Sequence, residues 1–274
     1  MVISPSGLSL KIYPQGVSTQ VPPWGIGPAC LPASRKVVVV AHGELSTATQ
    51  DYLKVIWTAQ EWTDEPLTVS ALSLHMGFSP SSVSEAVKKL TKKGLLTHAR
   101  YGSIALTDAG EKAAVAMVRR HRLIETFLVD YLGYRWDEVH DEAEHLEHAV
   151  SDKMVDALAD RLGNPVRDPH GDPIPARDGS FPVLDALRLS RCEPGTRGTV
   201  ARVSDNEPEL LRYIAELGLH LDTELSVLRR QPYAGTLTVE SGGRTLDLGL
   251  PAAEAIWILA PAAARGSAAA AGPR

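Results

Sequence analysis

Between Thr68 and Thr107 the chain carries two short helices and a hairpin in an order that few folds accommodate. Val69 to His75 has helical character after the capping residue Thr68, and Gly77 stops it. Ser79 then caps a second helix whose first position is Pro80, where a missing N–H costs nothing, and which runs to about Lys93. Leu95 to Thr107 follows as two short strands around a Tyr101-Gly102 turn. A helix-turn-helix with a wing is the expected result. From residue 84 to 107 the basic residues Lys88, Lys89, Lys92, Lys93 and Arg100 face Glu85 alone, although the whole chain has a net charge of -5. A solvated lysine face would explain that charge, but not the element order. Positive charge gathered on so small a module suits phosphate contacts with double-stranded DNA. Ser79, Ser81, Ser82 and Ser84 are expected to meet phosphates and bases, with Lys88, Lys89 and Arg100 along the backbone. Few of these side chains can read a base through two hydrogen bonds, so DNA shape should carry much of the specificity.

The flanking segments extend the pattern. Residues 1–43 are rich in Pro, Gly and Ser and read as a disordered extension. Ser46 caps a helix to about Trp62, with Tyr52, Leu53, Ile56 and Trp57 at helical spacing. Asp108 is expected to cap a long helix to about Tyr131. Its stripe of Ala116, Met117, Leu123, Ile124, Phe127, Leu128 and Tyr131 looks too large for one thin domain and predicts a packing partner. An acidic helix from about Trp136 to Val150 comes next. On it Glu144, Glu147 and His148 stand at i, i+3 and i+4 on one face, with His140 a turn earlier. Two carboxylates and an imidazole suit a divalent cation such as Mn²⁺ or Fe²⁺, and one helix cannot complete its shell. Ser151 opens a further helix that ends at Gly163. Residues 164–188 contain too much Pro and Gly to continue it and read as a linker. Five strand-like runs from Gly198 to Leu259, with one helix near Glu209–Leu217, predict a small β-barrel of SH3-like size. The Ala-rich tail 261–274 is expected to be disordered.

Composition removes several classes. No apolar run approaches the roughly 18–20 residues of a membrane span, and Val37–Ala41 is too short for a signal-peptide core. Cys30 and Cys192 form neither a disulfide framework nor a metal knuckle, which points to the cytoplasm. A metalloenzyme is the rival of another class. Neither zinc-protease motif occurs around His145, no second Glu-x-x-His helix is visible, and no nucleophile–base pair stands out, so no catalytic residue is assigned. A winged-helix repressor sensing an organic ligand or a protein is a second rival, distinguished by a lack of metal dependence.

With a winged helix, Arg120-His121-Arg-Leu-Ile-Glu125, Val139–His148 and Asp168-Pro-His-Gly-Asp-Pro-Ile-Pro175 in this order, the chain resembles the diphtheria toxin repressor family, the iron- and manganese-dependent bacterial repressors. The resemblance spans roughly residues 44–260. It implies a mainly α protein with a small β part. The units would be a winged helix-turn-helix (44–107), a helical metal-binding and dimerisation domain (108–163), the linker (164–188) and an SH3-like domain (189–260). It implies a homodimer on a near-palindromic operator, and about two cations per subunit. Asp51, Glu144, Glu147 and His148 would form the effector site; His121, Glu125 and His140 would form an ancillary site, to which the SH3-like domain adds Glu207. A second oxygen position from that domain falls on Leu210, which cannot ligate. Iron-type members carry methionine and cysteine where this chain has Asp51 and Glu144. Oxygen in place of sulfur favours Mn²⁺, with an Fe²⁺-dependent repressor of iron uptake as the alternative. Lys54 stands where some manganese members have a glutamate, which argues for two separate sites rather than a bridged pair.

Overall fold

A computed structural model describes residues 45–63, 65–99 and 102–260. The expectations for 1–43, Arg100 and 261–274 lie outside the described residues.

The first unit forms where the caps predict it. Helix α1 covers Thr47–Glu61, although the Ser46 hydroxyl pairs with Thr49 Oγ1 at 3.0 Å and not with a helix N–H. Helix α2, Val69–Met76, opens with Thr68 accepting from the Ala71 N–H and closes on Gly77 at φ 67°. Helix α3, Pro80–Lys92, opens with Ser79 accepting from the Ser82 N–H. Strands β1 (Leu96–His98) and β2 (Ile104–Leu106) pair antiparallel, Leu96 opposite Leu106. Leu53, Ile56, Leu72, Val83, Val87, Leu96 and Ile104 make a shared core.

Helix α4, Asp108–Leu132, leaves the wing directly. Its cap is Thr107, which accepts from the Gly110 N–H, so Asp108 is instead the first helical residue, where its charge favours the helix dipole. A Cβ on Gly110 would stand 2.0 Å from the Leu95 carbonyl, so only glycine lets α4 lie this close to the wing. Helix α5 is shorter than expected, Val139–Leu146. Glu147 to Ala149 continue as a looser turn, begun by Glu147 N–H to Ala143 O at 2.9 Å. Helix α6 is Asp152–Arg161, capped by Ser151. The α4 stripe needs less outside help than its sequence suggests. Leu123, Ile124 and Leu128 are buried within the chain against Val139, Ala143, Val155, Leu158 and Ile174. Tyr131, Leu132 and Met154 stay exposed.

Residues 164–188 link the helices to the sheet without a helix of their own, but they are no loose tether. Asp168 Oδ1 accepts from the N–H groups of His170 and Asp172, both at 2.9 Å, and closes a tight turn. Asp168, His170, Asp172 and Ile174 are buried. At Gly171, φ is 95° and a Cβ would lie 2.1 Å from the Ala201 carbonyl.

The C-terminal unit is a six-stranded antiparallel sheet. Its strands are β3 (Leu187–Arg188), β4 (Arg197–Val203), β5 (Glu224–Gln231), β6 (Thr236–Ser241), β7 (Arg244–Gly249) and β8 (Ile256–Leu259), in the order β3-β8-β4-β5-β6-β7. The two-residue β3 is too short to leave a pattern in sequence. Helices α7 (Pro208–Glu216) and α8 (Leu250–Glu254) help enclose a core of Val200, Leu211, Ile214, Val239, Leu248 and Ile256. Among the described residues, no helix is long and apolar enough to cross a membrane.

Candidate metal centre

Three groups of histidines and carboxylates lie along one cleft between α1, α4, α5, the 168–172 turn and the end of β4. The first is Asp51, Glu147 and His148. Asp51 comes from α1, and its Oδ1 is 2.7 Å from His148 Nε2, across 97 residues of chain. The other imidazole nitrogen, Nδ1, is held by Gln50 Oε1 at 3.0 Å, which orients the ring. Glu147 is fully buried, and its turn is fixed by Arg120, which donates to the carbonyls of Glu147 (3.1 Å) and Val150.

His121, His140 and Glu144 form the second group. His121 Nδ1 lies 2.7 Å from Glu147 Oε2, and its Nε2 lies 3.0 Å from Glu125 Oε1 and 3.2 Å from His140 Nδ1. The expected effector set is therefore split: Glu144 faces His121 and His140 at 3.8 and 3.6 Å instead of joining Asp51 and His148. The cause is Lys54. Its buried ammonium donates to Glu144 Oε1 at 2.5 Å and Glu147 Oε1 at 2.6 Å, drawing the two carboxylates to one cation already in the chain.

The third group is Glu125, His170 and Asp205, two of which sequence reasoning left unassigned. His170 Nδ1 is buried without a hydrogen-bond partner and lies 3.9 Å from Glu125 Oε2, while Nε2 is bound to the Trp136 carbonyl at 2.6 Å. Asp205 Oδ2 is 3.2 Å from His140 Nδ1. Glu207 is not brought to this group. It is exposed in the extended residue before α7, and Asp205, two residues earlier on the same loop, is the residue that stands with Glu125 and His170. Burial of His170 was foreshadowed only by its setting in Asp168–Pro175.

The donors fit a divalent cation. In each group the candidate atoms lie within 4.8 Å of one another, all are imidazole nitrogen or carboxylate oxygen, and no group includes a cysteine. Ligands about 2.0–2.2 Å from one ion stand closer together than the widest of these spacings, so binding a cation would draw the donor atoms inward. The buried, unpartnered nitrogen of His170 is a donor atom that a cation would satisfy.

The charges show how the cluster balances itself. Burial opposes charge on His121, but Glu125 and Glu147 outweigh it and push the imidazole up to about 9. His140 is raised to about 11, with Asp205 and Glu125 overcoming burial. Glu125, despite burial, is held well below the carboxylate range by His121 and His140. Glu147 is lowered against burial by His121 and Lys54, whereas burial raises Asp51 in spite of His148. Lys54 is raised because Glu147 and Glu144 overcome its desolvation. Protons on His121 and His140 and the Lys54 ammonium thus neutralise the carboxylates.

At the other end of α1's unit, Ser79, Ser81 and Ser82 are exposed at the start of α3, their hydroxyls 2.9 to 3.0 Å apart. Ser84 is half-buried. Lys88 and Lys89 are exposed one face along, with Lys89 paired to Glu85 at 3.1 Å.

Known proteins share this plan. Residues 44–104 match the N-terminal DNA-binding domain of the iron-dependent repressors, residues 107–176 their metal-binding and dimerisation domain, and residues 187–259 the FeoA domain. The iron-dependent repressor IdeR of Mycobacterium tuberculosis is 37% identical over 215 residues, covering 74% of this chain and 89% of that protein. The chain belongs to the diphtheria toxin repressor family. It is a metal-dependent transcriptional repressor. The diphtheria toxin repressor of Corynebacterium diphtheriae is 28% identical over 219 residues, covering 75% of this chain and 93% of its own length. Among solved family members, a manganese-dependent transcriptional repressor in complex with manganese is 54% identical, with a TM-score of 0.75 over 78% of this chain and all of that one. The manganese regulator SloR is 36% identical, with a TM-score of 0.67 over 78% of this chain and 98% of its own.

Proposed function

We propose that this repressor responds to Mn²⁺, with Asp51, Glu147 and His148 as the core of the effector site and Glu144 joining them when Lys54 releases it. The observation that carries the reading is the meeting of Asp51 and His148 at 2.7 Å, which ties the DNA-binding helices to the acidic turn. The donors are oxygen and nitrogen throughout, a set matched to Mn²⁺ better than a thioether–thiolate set would be. The manganese-dependent repressor at 54% identity supports the same choice. A second cation per subunit is assigned to Glu125, His170 and Asp205, with His121 and His140 joining as ligands once they lose their protons, and Glu207 outside it. A bound cation supplies the positive charge and the coordination bonds that lock ligands from different elements together.

The chain's own groups do the rest. Asp51 fixes α1, and through the shared core α2 and α3, against the α5 turn. Ser79, Ser81, Ser82 and Ser84 then meet the DNA, with Lys88, Lys89 and Arg100 on phosphates. In a homodimer, two α3 helices held at fixed spacing read a near-palindromic operator. Residues 44–107 bind DNA, 108–163 bind metal and dimerise, and 189–260 brace the second cation. The protein works in the cytoplasm by binding alone, without a catalytic step.

The test is a gel shift on a duplex selected from random DNA by the unsubstituted protein with Mn²⁺, run over Mn²⁺, Fe²⁺, Co²⁺ and Zn²⁺ at matched free concentrations. Asp51→Ala should lose Mn²⁺-dependent binding about 100-fold or more, the scale of a lost ligand and its coupling. Full retention would refute the bridging role, and activation by Fe²⁺ alone would refute the choice of manganese.

A further inference from the structure

We infer that Trp62, Asp172 and Arg202 form a metal-independent latch by which the SH3-like unit holds the DNA-binding helices in their cation-ready arrangement. Trp62 is the residue at which α1 ends. Its indole N–H donates to Asp172 Oδ1 at 2.8 Å, and the same oxygen accepts from Arg202 Nε on β4 at 2.6 Å. The Arg202 guanidinium carbon lies 4.6 Å from the Trp62 ring centroid and 4.3 Å from that of Trp257 on β8, so one cation bridges an aromatic ring from each unit. The ladder between β4 and β8 shifts register between Val200 and Arg202, a local irregularity of the kind that re-aims a side chain. Asp172, Arg202 and Trp257 are all buried, where charged hydrogen bonds and cation–π contacts are strongest.

The latch touches the metal centre without belonging to it. None of its three residues is in a cation cluster. Glu61, next to Trp62, grips Arg122 at 3.1 and 2.5 Å, and Arg122 follows His121 on α4. Arg202 precedes Asp205 by three residues, and Asp172 follows His170 by two. Latch and gathered ligands occur in one conformation, the one in which Asp51 reaches His148. By linkage, contacts made in that conformation lower the metal needed to populate it. The latch rests on the reading of Asp51 and His148 as effector ligands, whichever cation serves in the cell.

The experiment uses the full-length protein, with Trp62→Ala, Arg202→Gln, their combination and Trp62→Phe. Fluorescence anisotropy on the selected duplex gives the Mn²⁺ concentration for half-maximal binding, and circular-dichroism melting without metal reports folding. Each of the first two variants should raise the Mn²⁺ midpoint about tenfold, within the usual range of coupling between sites, and the double variant should shift it no further. Trp62→Phe keeps an aromatic ring and loses the N–H; it should shift the midpoint about threefold, and it carries the test if Trp62→Ala fails to fold. Midpoints within twofold of the unsubstituted protein, shifts that simply add in the double variant, or a lower melting temperature with an unmoved midpoint would each overturn the latch.

Discussion

The Asp51–Glu147–His148 group and the Glu125–His170–Asp205 group use the same donor chemistry in opposite settings. The first joins α1 to the α5 turn and is shallow at its rim: the Asp51 and His148 side chains are 36% and 21% exposed. The second joins α4 to the 168–172 turn and the end of β4; its Glu125 and His170 side chains are 1% and 0% exposed, and only Asp205, at 20%, reaches the rim. Exposure screens charge and admits water, so a shallow site exchanges its occupant readily. Burial fixes the donors and makes any unpaired charge expensive. On that contrast the shallow group suits reporting on cation supply, and the deep group suits holding three elements together.

The largest effect should come from breaking the deep group. Glu125→Ala removes the buried carboxylate shared by His121 and His140, leaving His121 with Glu147 and the half-exposed His140 with Asp205. Denaturant unfolding of the metal-free protein should show a loss of about 3–5 kcal/mol. A loss below about 1 kcal/mol would mean that the deep group is not structural.

Lys54→Met probes the junction between the groups. Without metal it leaves buried Glu147 with His121 alone, while the part-exposed Glu144 can turn to water, and it should cost about 3 kcal/mol, since the buried Lys54–Glu147 pair is broken from one side. With Mn²⁺ the deficit should shrink, because the freed carboxylates have a cation to hold. Melting with and without Mn²⁺ checks this, and an equal deficit in both would show that Lys54 does not compete with metal.

The smallest effect is that of pH. The folded pKa of His121 is raised from 6.5 to about 9, so its contribution to metal-free stability is full below about 6.5 and is lost as pH rises through about 9. Cation binding has the opposite trend, because a proton must leave any imidazole that ligates. Between pH 6.5 and 9, melting temperature without metal should fall while Mn²⁺ affinity rises, with proton release seen by calorimetry in buffers of different ionisation enthalpy. Binding without proton release would remove His121 and His140 from the ligand sets.

Much of the fold could be read from the chain because its signals are local. Thr68, Ser79 and Ser151 cap the helices they precede, and Gly77 and Gly133 end helices in the left-handed conformation. The Ser-Pro-Ser-Ser start of α3 and the five longer sheet strands follow the same logic of caps and alternation. Local signals misjudged α5, where Glu147 and His148 keep helical spacing in a turn that Arg120 holds from another helix.

By itself, the sequence determined the order of elements, the winged helix, the SH3-like unit and the i, i+3, i+4 stripe of the acidic helix, since each depends on neighbours within a few residues. Only the tertiary structure decided how that stripe is shared out. Lys54 draws Glu144 toward His121 across 90 residues, and His170 and Asp205 meet Glu125 where Glu207 was expected. Burial and charge balance settle those choices. Both belong to the packed interior, and neither has a period along the chain.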